Sequence, residues 1–222
     1  LMEGSGRTPK VLYVDGSKKI LEHGVLVMEY LPGHAMDYHT ELMLAAPCLA
    51  DIHSVPIPES EEILIHPQNP LKAILEECEE MFKVYLESPL GDGEKKTYIR
   101  ELLNLGWKRE AEIQLESGYQ CCINTELNST NLLINGEEKS NYLIDWEKPL
   151  FGNPAQDLGH FLAPTTTFWK TDVILTSEEI EKFIDAYIKA VGNRFKTDMI
   201  REHTHAFIPI TCLRGITWCA MA

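Results

Sequence analysis

The sequence predicts an α+β fold. Its strand-like runs are short and gathered into two places, near the start and in the middle, while the rest of the chain carries helical periodicity. Strands and helices do not alternate regularly, which argues against a doubly wound parallel sheet. The chain has 222 residues, 44% of them apolar, enough for a sizeable core in one large domain or two small ones.

The first strands are KVLYV (Lys10–Val14) and GVLVMEYL (Gly24–Leu31), apolar and β-branched, with turn chemistry in the intervening DGSKK. Pro32 and Gly33 then break the chain. A helix is expected from Asp37 to Ser54, with Leu42, Ala45, Ala46, Leu49 and Ile52 on its apolar face. SVPIPESEE reads as a loop. Leu71, Ile74, Leu75, Cys78, Phe82 and Tyr85 keep helix spacing, and after the turn SPLGDGEKK another helix runs to about Glu116. Two apolar strands follow around Cys121 and Leu143, expected to pair as a hairpin joined by NGEEKSN. Asn153 caps a helix that begins at Pro154. Thr176 and Glu179 form a capping box for a helix whose apolar face is Ile180, Phe183, Ile184, Tyr187 and Val191. The remainder is helical, with bends expected at Pro209 and Gly215.

The middle strands carry the chemistry. Glu126 stands just after the first, Asp145 ends the second, and Asn131 lies between them. A carboxylate at a strand end can leave the core without burying its charge. Asp145 with the neutral amide oxygen of Asn131 suits a hard divalent cation such as Mg²⁺, which keeps waters and binds substrate phosphates. Glu126 can accept a proton from a hydroxyl. That set serves phosphoryl transfer, where catalysis is mostly positioning and charge neutralisation, and it also serves metal-assisted hydrolysis.

The order of these motifs resembles the aminoglycoside phosphotransferase and choline kinase superfamily. That family reads H-x-D-x-x-x-x-N, then a hairpin, then IDW or IDF; this chain reads NTELNSTN from Asn124 to Asn131, then LIDW from Leu143 to Trp146. GNPAQDLGHFL resembles the family's G-x-P-x-x-D-L-A run, LVMEYLPG its lobe connector, and LADIHS its L-A-x-L-H helix end. The resemblance runs from about Thr8 to Trp218. It implies a protein-kinase-like fold in which residues 1–32 are the last strands of a truncated N-terminal nucleotide lobe and 33–222 form the helical C-terminal lobe. It implies ATP and Mg²⁺ as cofactors and a small-molecule hydroxyl as acceptor. Asp145 and Asn131 correspond to the metal ligands and Glu126 to the catalytic acid. The carbonyl of Glu29 and the amide of Leu31 correspond to the adenine-contacting backbone, and Asp157 to a residue that braces the catalytic loop.

Two departures stand out. Asn124 and Glu126 replace the family's His and Asp, and the longer Glu moves its carboxylate by about 1 Å, a shift that can cost ~10²-fold in rate if uncompensated. The Gly-rich loop and the phosphate-gripping strand Lys with its Glu partner are not visible, and are expected upstream of Leu1. EGSGR reads as a loop leaving a helix, and both chain ends read as cut. A small-molecule kinase is therefore the expected class, with a non-catalytic, pseudokinase-like binding module as the alternative. A hydrolase would need more metal-binding side chains near Asp145, where only Glu147 stands.

Bulk properties narrow the partners. A formal net charge of −14 opposes a general nucleic-acid binder, which needs a basic face. No apolar run reaches the ~18 residues of a membrane span. The six cysteines form no C-x-x-C pair and read as free thiols in a reducing cytoplasm. His53 and His160 read as core or capping residues, His203 and His205 as surface residues.

Overall fold

The computed structural model describes residues 1–57, 64–113, 115, 118–138 and 140–222. Part of the expected SVPIPESEE loop, the expected helix end at Glu116, and Lys139 of the hairpin turn lie outside those residues. The elements run in the order β1 (Val11–Asp15), β2 (Val25–Met28), β3 (His34–Ala35), α1 (Leu42–His53), α2 (Pro70–Glu87), α3 (Gly93–Glu112) and β4 (Cys121–Ile123). They continue with β5 (Leu132–Ile134), β6 (Tyr142–Leu143), β7 (Leu150–Gly152), α4 (Pro154–Leu162), α5 (Pro164–Lys170), α6 (Ser177–Val191) and α7 (Ile200–Met221). The α+β class and its helix-rich body follow the expectation.

The strands form three small antiparallel sheets. β1 pairs with β2; β5 lies between β3 and β6; β4 pairs with β7, Cys121 facing Gly152 and Ile123 facing Leu150. The β5–β6 pairing, Leu132 with Leu143, is the hairpin that the resemblance implies, whereas the strand at Cys121 pairs with β7 and not, as expected, with the Leu143 strand. β3, β7 and their pairings are not legible in sequence, because two or three residues show no period. The β1–β2 ribbon leaves Val11, Leu12, Tyr13 and Val14 exposed.

The helices begin where side chains satisfy their free N–H groups. Asn69, Asp92, Asn153 and Thr176 each accept a backbone N–H in the first turn, and Pro follows at the first helical position of α2 and α4. The capping box of α6 forms as expected, and Phe183, Ile184, Tyr187 and Val191 are buried. α1 starts later than expected. Asp37 turns its carboxylate onto the His39 N–H (2.9 Å) and the Thr40 hydroxyl (3.0 Å), so residues 37–41 form a side-chain-closed turn. EGSGR forms a 3-10 turn over Met2–Ser5, ended by Gly6 in the left-handed region.

Two apolar clusters fill the body. One joins α1, α4 and α6 through Leu49, Ile52, Phe161, Phe183 and Tyr187, with Leu132 and Leu143 from the hairpin. The other joins α2, α3 and α7 through Leu75, Phe82, Leu103, Phe207 and Ile210. α7 belongs to the second cluster and also crosses α4 closely. A Cβ on Gly159 would lie 2.4 Å from the Phe207 Cβ, so only glycine admits that crossing. α7 runs unbroken from Ile200 to Met221, with Pro209 inside it. Among the described residues no helix is long and apolar enough to cross a membrane.

Gly159→Ala is expected to lower stability by about 1–3 kcal/mol through overpacking against α7. The urea-unfolding midpoint reads this directly. Gly93→Ala, where a new Cβ meets nothing within 4 Å, is the control and is expected to leave the midpoint unchanged or slightly raised.

Candidate active site

β4 and the hairpin β5–β6 carry two loops side by side. The first leaves β4 through Asn124 and Thr125, passes Glu126, and ends in a 3-10 turn over Ser129–Asn131. Asn128 caps that turn, accepting the Thr130 N–H. The second leaves β6 through Ile144 and reaches Asp145. Thr125 and Asp145 both take positive φ, 71° and 65°, a conformation that costs a non-glycine residue ~1–2 kcal/mol and clusters at functional sites.

Asp157 anchors the first loop. It is fully buried near the start of α4, and its two carboxylate oxygens accept the N–H of Asn124 (2.8 Å) and the N–H of Thr125 (2.7 Å). His53, at the end of α1, reaches the same carboxylate through Nε2 (3.2 Å), while its Nδ1 meets the Tyr187 hydroxyl of α6 (2.8 Å). With Nε2 donating to the carboxylate, Nδ1 accepts the tyrosine proton. Both residues hold core positions, as expected.

Asn124 and Asn131 tie the two loops together. Asn124 is buried; its Nδ2 donates to the Asp145 carbonyl (2.7 Å), and its Oδ1 accepts the Glu126 N–H (3.1 Å). Asn131 Nδ2 donates to the Glu126 carbonyl (3.1 Å), and the Asn131 carbonyl accepts the Ile144 N–H (2.9 Å). Glu126, Asn131 and Asp145 are thus held in one hydrogen-bonded frame. Engaging Nδ2 of Asn131 leaves its amide oxygen for a cation, and Asp145 is exposed. A carboxylate plus an amide oxygen fits the hard donor set that Mg²⁺ takes together with water and phosphate. Among the described residues no group of three or more His, Cys, Asp and Glu side chains forms a metal cage, so a cation here would share its coordination with a ligand.

Hollows lie on both sides of this frame. One of about 550 Å³ is walled by Val11, Leu26 and Met28 of the β1–β2 ribbon, and by Met2, Cys122 and Asp145. Its apolar walls fit a flat base, and the buried Trp146 indole N–H on its wall has no hydrogen-bond partner among the described residues. Glu29 and Leu31 lie past the end of β2, beyond the residues that line it. On the far side, hollows of about 630 and 540 Å³ share Glu126, Lys148, His160, Thr211, Arg214 and Glu77. Lys148 Nζ stands 3.4 Å from Glu126. Arg214 of α7 clasps Glu77 of α2 with Nε (2.8 Å) and Nη2 (3.1 Å). His160 is held well below its ordinary value, to about 4, by burial and by the Arg214 charge, against the opposing pull of Asp157 and Glu126. It is neutral at pH 7.

Several of these residues escape sequence reasoning. Arg214 and Glu77 lie 137 residues apart, and no local pattern joins them. Lys148 follows Asp145 in the same turn, a proximity that was available to read. His203 corrects an expectation: it is buried, because its Nδ1 accepts the Asn153 side-chain N–H (2.8 Å) beneath the cap of α4. His205 is half-exposed and pairs with Glu181 (2.6 Å).

The model of the phosphotransferase enzyme family matches residues 2–202. Among solved structures, an ethanolamine kinase from Plasmodium vivax matches over 99% of this chain and 62% of its own length, with TM-score 0.62 and 15% identity. A choline kinase from Cryptosporidium parvum matches over 99% and 68%, with TM-score 0.64 and 14% identity. An aminoglycoside phosphotransferase from Streptomyces rimosus, solved with ADP and streptomycin, matches over 96% and 76%, with TM-score 0.55 and 14% identity. At these identities the likeness is one of fold, the protein-kinase-like fold expected from the motifs. The chain spans less than two thirds of the length of that ethanolamine kinase. No curated protein matches the chain in sequence.

Asp157→Asn keeps the shape of the anchor but turns a donor toward backbone N–H groups. A loss of about 3 kcal/mol in unfolding free energy is expected, and an unchanged urea midpoint would refute the anchoring role. His160 gives a pH signature. Its folded pKa, about 4, lies below the ordinary 6.5, so within that window the unfolded chain binds the extra proton. Stability is therefore expected to fall as pH drops from about 6.5 toward about 4. His160→Gln should flatten that part of the stability profile.

Proposed function

The chain belongs to the phosphotransferase enzyme family, and from that premise we propose that it transfers the γ-phosphoryl group of ATP to a hydroxyl of a small-molecule acceptor. The supporting observation is the frame that holds Glu126, Asn131 and Asp145 among three hollows, Asp145 lining one and Glu126 the other two. Residues 1–32 contribute the nucleotide-facing strands, and 33–222 the catalytic and acceptor-binding body. Six thiols without a disulfide among the described residues agree with a cytoplasmic setting.

Each residue then has a task. Asn131 and Asp145 offer their oxygens to a Mg²⁺ ion. Such an ion, when bound, neutralises phosphate charge in the transition state. The backbone at Glu29 and Leu31 meets the edge of the adenine. Glu126 orients the acceptor hydroxyl and takes its proton. Asn124 keeps the loops in register, so that the base and the metal ligands share one frame of reference. The neutral His160 gives the acceptor hollow a hydrogen-bonding wall without adding charge.

Base catalysis of this kind contributes ~10²–10⁴-fold. Glu126→Gln is expected to lower kcat by about that factor while leaving ATP affinity nearly unchanged. Glu126→Asp tests the frame: a backbone set for the longer side chain makes Asp fall short and lowers activity. Full activity in the Gln variant would remove the base assignment. Absence of turnover with every hydroxyl acceptor tried would favour the non-catalytic binding module.

A further inference from the structure

We propose that Lys148 is a catalytic residue, the cation that holds the γ-phosphoryl group during transfer; this rests on the phosphotransfer reading above. Its location carries the argument. Lys148 sits where the two sides of the site meet. Its chain neighbours Glu147 and Pro149 line the nucleotide-side hollow with Asp145. Lys148 itself lines both acceptor-side hollows with Glu126. Glu147 and Pro149, which flank it in sequence, line hollows of both kinds.

The local structure fixes the residue at that junction. The Lys148 carbonyl accepts the Thr125 hydroxyl proton (3.0 Å), tying its backbone to the left-handed turn of the first loop. The ammonium, by contrast, is loosely held. Its side chain is 67% exposed and pairs with Glu126 at 3.4 Å, a surface pair worth little to stability. Folding therefore gives weak grounds for a lysine here, and chemistry gives better ones.

Transfer spreads negative charge over the three equatorial oxygens of the phosphoryl group. Between Glu126 and Asn131 the loop reads Leu127, Asn128, Ser129 and Thr130, with no cation. Of the cations lining the acceptor side, Arg214 is clasped by Glu77 through two of its nitrogens. Among the described residues the Lys148 ammonium is engaged only by the base itself, on a flexible stem that can turn to a phosphate. In the free protein the ammonium covers the Glu126 carboxylate. With a triphosphate bound, it moves to the γ-phosphoryl oxygens and uncovers Glu126. The acceptor oxygen then bonds to the γ-phosphorus as its proton passes to Glu126. The bond from that phosphorus to the β-phosphate bridging oxygen breaks, ADP leaves with the electron pair, and Lys148 keeps its proton throughout.

The test reads binding, and needs no acceptor. Calorimetry with Mg²⁺ compares ADP with the imido analogue of ATP, which adds the γ-phosphoryl group, for the wild type, Lys148→Met and Lys148→Arg. Lys148→Met is expected to weaken the analogue about tenfold and leave ADP unchanged, and Lys148→Arg to recover most of the loss. Equal weakening of both ligands, or of neither, would overturn the role of Lys148 while phosphotransfer stands. The measurements use the full-length protein, with the Gly-rich loop and strand Lys expected upstream of Leu1; a wild type that binds neither nucleotide there would overturn phosphotransfer, and this proposal with it.

Discussion

The site depends on one buried carboxylate. Asp157 has no exposure to water and serves as the common acceptor for two consecutive backbone N–H groups and an imidazole. A peptide turned into the left-handed region at Thr125 is unfavourable by itself, and these charge-assisted bonds offset that penalty. α4 carries the carboxylate and is in turn fixed from two directions. Asn153 locks its first turn, and Gly159 lets α7 approach to backbone contact. The loop geometry is thus inherited from helix packing at a distance from any substrate.

Around that anchor, charge is kept in local pairs. Glu126 faces Lys148, Glu77 faces Arg214, and His160 stays neutral between them. The hollow of about 540 Å³ that these groups line is therefore close to balanced despite the acidity of the whole chain. Burial also pushes the Cys122 thiol, on the wall of the hollow beside the β1–β2 ribbon, up to about 12. That sulfur is a packing group and no nucleophile at neutral pH.

Much of the structure was legible before any coordinates. Helices announced themselves by apolar spacing and by caps, because both signals are local. Asn153 with Pro154, and Thr176 with Glu179, behave as their residue types dictate. The spacing of Glu126, Asn131 and Asp145 was legible because one loop and one hairpin deliver all three. What stayed hidden was long-range. β3 and β7 are too short to show a period and exist only through their partners. The burial of His203 depends on Asn153, 50 residues away. The late start of α1 followed from Asp37 preferring its own turn to a helix, a competition that periodicity does not register.

α7 presents two registers to two neighbourhoods. Phe207, Ile210 and Leu213 point into the core, whereas Thr211, Arg214 and Trp218, offset around the helix, line the hollow of about 540 Å³ beside Glu126. The matched family region ends at residue 202, ahead of all six. A substitution on one stripe can then reshape the hollow while the other keeps the helix seated, and an insertion of one residue would rotate both stripes together and exchange their duties.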